Sequence, residues 1–262
     1  MSILQSDTRV VVAMDHSVNW GVFEGFENPS ETVERVLEAD PDGILAGVPF
    51  LRRFSETLDN YPTVDRIGTL DVIHDSTIPG IQEDAEIHTQ AFSVQEAVRI
   101  GADAVKLLLI YGREQESVLQ ENLEFVAEAA EACRAAGVPM VVETTLWGGR
   151  IENEHNPERL ADATRIGFEL GADVIKVHYP DPAKELENIV RDLPVPVYIA
   201  GGPTTESNRE FLEMVDNAAK AGSQGVMFGR NIWQRDDPDA VVHAINGVLD
   251  GEISIDTAAQ SL

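Results

Sequence analysis

The sequence predicts a single (β/α)8 barrel, and three observations point to that fold. Short apolar segments with the composition of buried strands alternate eight times with segments of helical patterning. The chain has 262 residues, close to the roughly 250 of a typical barrel of this kind. Glycines stand between a helical segment and the next strand at several junctions. A doubly wound open sheet is the alternative architecture for the same alternation.

The strand candidates are rich in β-branched and other apolar residues. They span residues 9–15, 42–48, 66–72, 103–110, 138–144, 172–178, 195–200 and 224–228. The longest connection runs from His74 to Glu86 and contains Pro79 followed by Gly80. A connection of this length predicts a flap over the mouth of the barrel.

Helix starts and ends are marked between these strands. Asn28, Asn156 and Asp237 each precede a proline, which is the arrangement of an N-cap followed by proline in the first turn. Ser93 and Glu96 have the spacing of a capping box. The predicted C-terminal glycines are Gly101, Gly137, Gly171 and Gly222. No linker divides the chain, so residues 1–262 are predicted to form one domain, with a polar tail at 251–262 that frays.

The chain is strongly acidic, with 46 acidic and 19 basic residues and a formal net charge of −27. A field of this sign excludes nucleic acid and anionic membranes as expected partners. The acidity is spread along the whole chain, which favours the surface of a protein from a salt-accumulating halophile over an ordinary acidic surface. No apolar run could span a membrane, no N-terminal leader is visible, and Cys133 is the single cysteine. These features predict a soluble, cytoplasmic protein.

Lys176 is the most unusual residue of the sequence, because it stands inside the apolar strand candidate that contains Val174, Ile175 and Val177. Burying an ammonium group is costly, so its presence in a barrel strand requires an explanation. Burial lowers the pKa of a lysine amine and makes it nucleophilic, which is how Schiff-base lysines arise. The alternative is a surface lysine on a segment that is not a strand.

Strand alternation predicts which other polar groups share the barrel interior with Lys176. The same parity turns Asp15, Lys106, Glu143 and His178 inward, near the carboxyl ends of their strands, where barrel enzymes hold their active sites. A buried structural ion-pair network is the alternative interpretation of this group.

The last two strand ends predict a phosphate site. Gly201 and Gly202 follow the seventh strand, and Gly229 with Arg230 follows the eighth. Glycines allow backbone amides to approach an anion, and an arginine can bind it with two hydrogen bonds.

Taken together, these residues resemble the archaeal-type class I fructose-bisphosphate aldolases and their relatives, the aminodideoxyheptulosonate synthases. The motifs that carry the resemblance are Met14-Asp15-His16, Val142-Glu143, residues 171–176, Gly201-Gly202-Pro203 and residues 229–236. Residues 101–111 are also similar to the matching strand of tagatose-bisphosphate aldolases, which carries a lysine there. The resemblance implies that Lys176 is the Schiff-base lysine, Asp15 an acid/base, and the glycine loops with Arg230 the phosphate holders. It also implies a ring-shaped homo-oligomer that needs no metal or other cofactor.

The chain departs from that family after the fifth strand, where the family has Tyr-Pro-Arg-Gly with the tyrosine as proton donor. Here the residues are Thr145-Leu146-Trp147-Gly148. Glu143 is the first candidate for the missing acid, with Tyr111 and His178 behind it. The missing arginine and an altered first loop, 17–20, imply a substrate other than fructose bisphosphate. His16, Thr145 and Trp147 are predicted to border it.

The leading functional hypothesis is therefore a metal-independent aldolase that acts on a phosphorylated ketose or a related keto-sugar. A transaldol-type synthase or a thiolase-like acyl transferase would use the same imine. A catalytically silent sugar-phosphate binder is a third possibility. A metal-dependent aldolase using His16, Glu143 and His178 is disfavoured, because the sequence has no tight histidine spacing.

Overall fold

Eight parallel strands close into a barrel in the order β1-β10-β9-β8-β7-β6-β3-β2, and two further strands form a separate antiparallel pair. This computed structural model describes residue 3 and residues 9–74, 86–202, 205 and 207–262. The strands are β1 (Val10–Ala13), β2 (Gly43–Gly47), β3 (Asp65–Thr69), β4 (Asp71–His74), β5 (Ile87–Gln90), β6 (Ala104–Tyr111), β7 (Met140–Leu146), β8 (Val174–His178), β9 (Val197–Ala200) and β10 (Gly225–Phe228). The predicted barrel is confirmed.

Helices surround the barrel on its outer face. They are α1 (His16–Trp20), α2 (Pro29–Glu38), α3 (Val48–Arg53), α4 (Ser55–Leu58), α5 (Val94–Arg99), α6 (Glu116–Ala136), α7 (Pro157–Glu169), α8 (Leu186–Arg191), α9 (Asn208–Lys220), α10 (Arg230–Trp233), α11 (Pro238–Leu249) and α12 (Ile255–Gln260). The predicted N-caps are all present, since the side chains of Asn28, Ser93, Asn156 and Asp237 each accept a backbone N–H of the first turn. The four predicted C-terminal glycines have positive φ.

Alternation along the strands separates two apolar cores. The barrel interior contains Val11, Leu45, Ile67, Ala104, Val141, Val174, Tyr198 and Met227, together with Ala13 and Ile3. The intervening strand residues, including Ile175 and Val177, pack against the helices in a second core. The predicted parity of β8 is therefore correct, and Lys176 follows Val174 into the interior.

The predicted strand 66–72 is wrong in its second half. Strand β3 ends at Thr69, and the chain then turns out of the barrel into β4, which pairs with β5. The backbone N–H of Leu70 makes the last ladder bond, to the carbonyl of Lys106 at 3.0 Å. The predicted flap lies outside the described residues, except for its ends at His74 and Glu86.

The outer part of β6 stays paired with β7, but the departure of β3 leaves its other edge without a strand, and two side chains take the place of β3. Asp71 accepts the backbone N–H of Leu108 at 2.8 Å. Asn122, on α6, accepts the N–H of Ile110 at 2.9 Å and donates to the carbonyl of Leu108 at 2.8 Å. Buried backbone groups must be paired, so these side chains keep β6 regular up to the barrel mouth.

The C-terminal segment 251–262, expected to fray, instead contains helix α12. Ser254 caps it by accepting the N–H of Thr257, and Ala258 is buried at 1% exposure. Asp256 pairs with Arg209 of α9. No helix in the described part of the chain has the length and apolarity needed to traverse a bilayer.

Candidate active site

A cavity of about 250 Å³ opens at the carboxyl ends of the barrel strands. Apart from the alternative proton donor Tyr111, the site residues predicted from the sequence all line it, namely Asp15, His16, Lys106, Glu143, Thr145, Trp147, Lys176, His178, Gly201, Gly202, Gly229 and Arg230. The structure therefore brings together residues from six barrel strands or from the loops that follow them. Tyr111, an alternative proton donor, lines a different groove with Arg150 and Ile151, because it faces away from Lys106 on β6.

Two lysines and two carboxylates form a continuous network at the floor of this cavity. Glu143 lies between the lysines, with Oε1 2.9 Å from Nζ of Lys176 and Oε2 2.9 Å from Nζ of Lys106. Lys106 also donates to Oδ2 of Asp15 at 3.2 Å. The exposed fractions of Lys106 and Lys176 are only 1% and 4%. Two positive and two negative charges balance, which is what makes their burial tolerable.

Neighbouring strands place Glu143 beside Lys176 directly. Glu143 on β7 and Lys176 on β8 are register partners in the parallel ladder, and both side chains point into the barrel. Asp15 comes from the turn between β1 and α1. The hydroxyl of Thr69, at the end of β3, donates to Oδ2 of Asp15 at 2.8 Å. Thr69 therefore fixes this carboxylate, although the sequence analysis did not single it out.

The network determines the charge of its members. Burial by itself would raise the pKa of Glu143, but the two lysines outweigh it and hold that pKa well below its usual range. The pKa of Asp15 is also lowered, since Lys106 and Lys176 together overcome the effect of burial. Burial would lower the pKa of Lys106, but Glu143 and Asp15 raise it. Glu143 is thus ionised at rest and can accept a proton.

Two histidines border the network in their neutral form. Burial lowers the pKa of His16 to about 4, and that of His178 to about 4. Nδ1 of His178 has no hydrogen-bond partner and belongs to a side chain that lines the cavity. Within the described residues, His16, His178 and Glu143 do not assemble into a group of three potential metal ligands.

One side of the cavity is formed by backbone and a single arginine. A Cβ atom on Gly229 would lie 2.4 Å from Cε1 of His16 and 2.6 Å from the carbonyl of Ala13, so only glycine fits there. A Cβ atom on Gly201 would likewise lie only 2.7 Å from Cδ1 of Phe228. Nε of Arg230 is buried without a hydrogen-bond partner. This side thus offers a guanidinium and accessible backbone, which suits an anion.

Asn231 joins the two glycine loops to each other. Its side-chain oxygen accepts the backbone N–H of Thr205 at 3.1 Å, and its amide donates to the carbonyl of Gly201 at 3.0 Å. The side chain is fully buried. Asn231 lies in a motif that the sequence analysis used for the resemblance, yet its role in holding the loops could be seen only from the contacts.

The opposite side of the cavity is apolar. Ile73 and Leu108 form its base, and the rings of Trp20 and Trp147 stand above them with centroids 5.8 Å apart. Thr145 is 4% exposed and lines the same cavity, and its hydroxyl has no hydrogen-bond partner. A buried hydroxyl without a partner is costly, so it is placed to bind a polar group of a ligand.

Known proteins resemble this chain over nearly its whole length. A class 1 fructose-bisphosphate aldolase of Thermoproteus tenax is 31% identical over 232 residues, which are 87% of this chain and 84% of that protein. A 2-amino-4,5-dihydroxy-6-oxo-7-(phosphonooxy)heptanoate synthase of Streptomyces griseus is 28% identical over 243 residues, or 93% of this chain and 85% of that protein.

A solved structure extends the similarity to three dimensions. It is an archaeal fructose-1,6-bisphosphate aldolase whose catalytic lysine is covalently bound to the carbinolamine intermediate of the substrate. The two chains match with a TM-score of 0.77 at 29% identity, covering 93% of this chain and 94% of the other. The family model for DeoC/LacD aldolases matches residues 9–235, from the first barrel strand to the end of the last active-site loop. The fold and enzyme class predicted from the sequence are confirmed, and the chain belongs to the DeoC/LacD family of aldolases.

Proposed function

We propose that the protein is a class I aldolase that makes or breaks a carbon–carbon bond next to the ketone of a phosphorylated sugar, with Lys176 forming the imine. The observation that carries the proposal is the position of Lys176, buried at the cavity floor with its amine 2.9 Å from the Glu143 carboxylate. The Thermoproteus tenax relative and the archaeal structure with its lysine-bound intermediate support the same chemistry.

The reaction begins when the Lys176 ammonium gives a proton to Asp15 and the resulting amine adds to the ketone carbon. Asp15 shuttles protons while the carbinolamine loses water and becomes an iminium. An ammonium has three N–H donors and this iminium has one, so Glu143 loses part of the interaction that holds its pKa down. Its basicity therefore rises at the stage at which a base is needed.

Glu143 then removes the proton from the C4 hydroxyl. The C3–C4 bond breaks, its electron pair moves into the iminium to give an enamine, and the aldehyde leaves. Protonation of the enamine at C3 and hydrolysis of the imine release the ketone and restore Lys176. In this scheme His178, as a neutral imidazole, binds a substrate hydroxyl, and Lys106 holds Glu143 and Asp15 in place.

The phosphate of the substrate lies against Gly201, Gly202, Gly229 and Arg230. The unpartnered Nε of Arg230 supports this placement, as do the glycines, which carry no side chain beside it. A transaldol-type synthase is the second candidate. It is favoured by the Streptomyces griseus relative, which is a synthase of a phosphonooxy keto acid.

Borohydride trapping tests the proposal. Wild-type protein incubated with dihydroxyacetone phosphate and sodium borohydride should gain the mass of one reduced adduct, and peptide mapping should find it on Lys176. Lys176→Ala should lose both the adduct and turnover, while Lys184→Ala, which removes an exposed lysine, should keep both. EDTA should leave wild-type turnover unchanged. An undiminished adduct in Lys176→Ala, or none in the wild type, would exclude the assignment.

The proposal extends to the setting of the enzyme. The net charge of −27 supports a halophilic, cytoplasmic protein, whose dense carboxylates need a concentrated salt solution for screening. Homo-oligomeric assembly is proposed on the family resemblance alone.

A further inference from the structure

We propose that the aldehyde half of the substrate carries no phosphate and meets the enzyme through an uncharged, largely apolar group. This inference rests on the proposed function, since it assumes the imine on Lys176 and the phosphate at Arg230. It names the class of aldehyde that the enzyme releases or takes up.

The order of strands fixes the direction of the substrate. The glycine loops follow β9 and β10, and the strands diametrically opposite in the eight-stranded ring are β3 and β6. Lys176 on β8 and Glu143 on β7 lie between these two sides. A ketose whose phosphate is at Arg230 and whose carbonyl is at Lys176 therefore extends its remaining carbons toward β6 and the β4 segment that follows β3.

Within the described residues, no lysine or arginine other than the Glu143-paired Lys106 lines the cavity at that far end. Leu108 of β6 is 6% exposed and Ile73 of β4 is 2% exposed, and both contribute apolar side chains to the cavity. Trp20 and Trp147 complete the wall. A phosphate placed there would lose hydration without gaining a counter-charge, which is a large cost, whereas an apolar group would gain from burial.

The charged groups of the cavity do not favour the binding of a second phosphate. Among the described lining residues, the cations are Lys106 and Lys176, both paired with Glu143, and Arg230 on the opposite side. The residues outside the described ranges cannot supply a further lysine or arginine. They are 1, 2, 4–8, 75–85, 203, 204 and 206, and none of them is a lysine or an arginine. The loop after β7 contributes Glu154, whose negative charge would repel phosphate.

Arg113 stacks on the Trp147 ring of this wall and also lies near Glu86. Its guanidinium carbon lies 4.6 Å from the centroid of the Trp147 ring, and NH1 is 4.0 Å from Glu86. It is not one of the residues that line the cavity. The Trp147 ring is thus held by a cation–π contact.

The polar atoms that remain suit a neutral aldehyde. The hydroxyl of Thr145 has no partner, and it can donate to the aldehyde oxygen. In the synthetic direction the enamine carbon attacks the aldehyde carbon, the new carbon–carbon bond forms, and the oxygen takes a proton from the protonated Glu143. None of these steps needs a charge on the aldehyde.

A matched pair of aldehydes tests the inference. With dihydroxyacetone phosphate as the ketone, glyceraldehyde 3-phosphate and glyceraldehyde differ only in the phosphate, and butanal supplies an apolar chain. We expect kcat/KM for glyceraldehyde and butanal to exceed that for glyceraldehyde 3-phosphate by at least tenfold. A trapped imine together with equal or better use of glyceraldehyde 3-phosphate would overturn this inference alone. Failure to trap the imine would overturn it along with the proposed function.

A charge-insertion variant locates the aldehyde. Trp20→Arg should raise the ratio of kcat/KM for glyceraldehyde 3-phosphate over glyceraldehyde by at least tenfold. Val22→Arg adds the same charge two residues away at a position that is 78% exposed, and should change that ratio by less than twofold. Trapping of the imine with dihydroxyacetone phosphate shows that each variant is folded. An unchanged ratio in a trapping-competent Trp20→Arg, or equal changes in both variants, would contradict the placement.

Discussion

The amine of Lys176 lies 2.9 Å from Oε1 of Glu143, and the other oxygen of the same carboxylate is held by Lys106 at an equal distance. One carboxylate therefore serves two buried cations. Any change in the charge or donor count of one lysine alters the basicity of Glu143, so imine formation and proton transfer are linked through a single side chain.

Glu143→Gln should separate the two halves of the reaction. An amide keeps the size of the side chain but cannot accept a proton, and it removes a negative charge that favours the ammonium form of Lys106. We expect borohydride-trappable imine to persist while carbon–carbon cleavage falls by on the order of 10²–10⁴. Single-turnover kinetics would distinguish the steps.

The matched control for that variant is Glu121→Gln, which changes an exposed glutamate on α6. It should retain full cleavage activity. Glu143→Gln could instead form less imine while the imine that does form is cleaved at the wild-type rate. In that case the carboxylate acts in imine formation and not at the C4 hydroxyl.

Thr145→Val should have a small effect. The change removes a hydroxyl that has no partner within the protein, so the fold loses no hydrogen bond. A substrate hydrogen bond to a neutral hydroxyl contributes about 1 kcal/mol, which corresponds to roughly tenfold or less in kcat/KM. Steady-state kinetics on the cleavage substrate would measure it. A loss larger than that of Glu143→Gln would place the proton donor at Thr145 or at a water that it holds.

The stability of the protein should fall as the pH drops from 7 to 4, partly because of His178. Its pKa is about 4 in the folded protein and 6.5 ordinarily, so the unfolded chain binds the proton first and acid favours unfolding. We expect His178 to contribute roughly 1–3 kcal/mol to the free energy of unfolding. This contribution is present above pH 6.5 and is lost towards pH 4.

Denaturant titrations at several pH values would measure this contribution. His178→Asn should flatten the curve between pH 6.5 and 4, while His243→Asn, at an exposed position on α11, should leave it parallel to the wild type. Equal slopes for the wild type and His178→Asn would show that His178 does not contribute.

Folding should depend on salt, because the 46 acidic side chains repel one another when they are not screened. We expect Tm to rise steadily from dilute buffer to molar potassium chloride. Differential scanning calorimetry at fixed pH would measure the change. A Tm that is independent of potassium chloride would rule out the halophilic interpretation.

The sequence predicted the parts of the fold that depend on local patterns. Apolar alternation placed the eight barrel strands, and cap residues such as Asn28 and Ser93 marked helix starts, because both signals act within a few residues. The same alternation predicted that Lys106, Glu143 and Lys176 converge. It also places Tyr111 on the opposite face of β6 from Lys106, which could have excluded it as a proton donor.

Contacts between distant residues were not visible in the sequence. The pairing of β4 with β5 depends on where β3 leaves the barrel, and the sequence of residues 66–72 shows no break at Leu70. Thr69, Asp71 and Asn122 resemble ordinary polar residues until their partners are known, since their hydrogen bonds join different elements. Such partners are set by tertiary geometry and leave no periodic signal.

The barrel rim beside Lys106 is joined to the β4–β5 hairpin by side chains and not by a continuous backbone ladder. Asp71 binds the N–H of Leu108, and Asn19 of α1 accepts the N–H of Ile73 at 2.9 Å. As long as Asp71 is kept, a hairpin attached in this way can be lengthened, shortened or exchanged without disturbing a barrel strand. Since Ile73 belongs to it, evolution or protein engineering can reshape the aldehyde end of the pocket by replacing one hairpin while the lysine–carboxylate network stays in place.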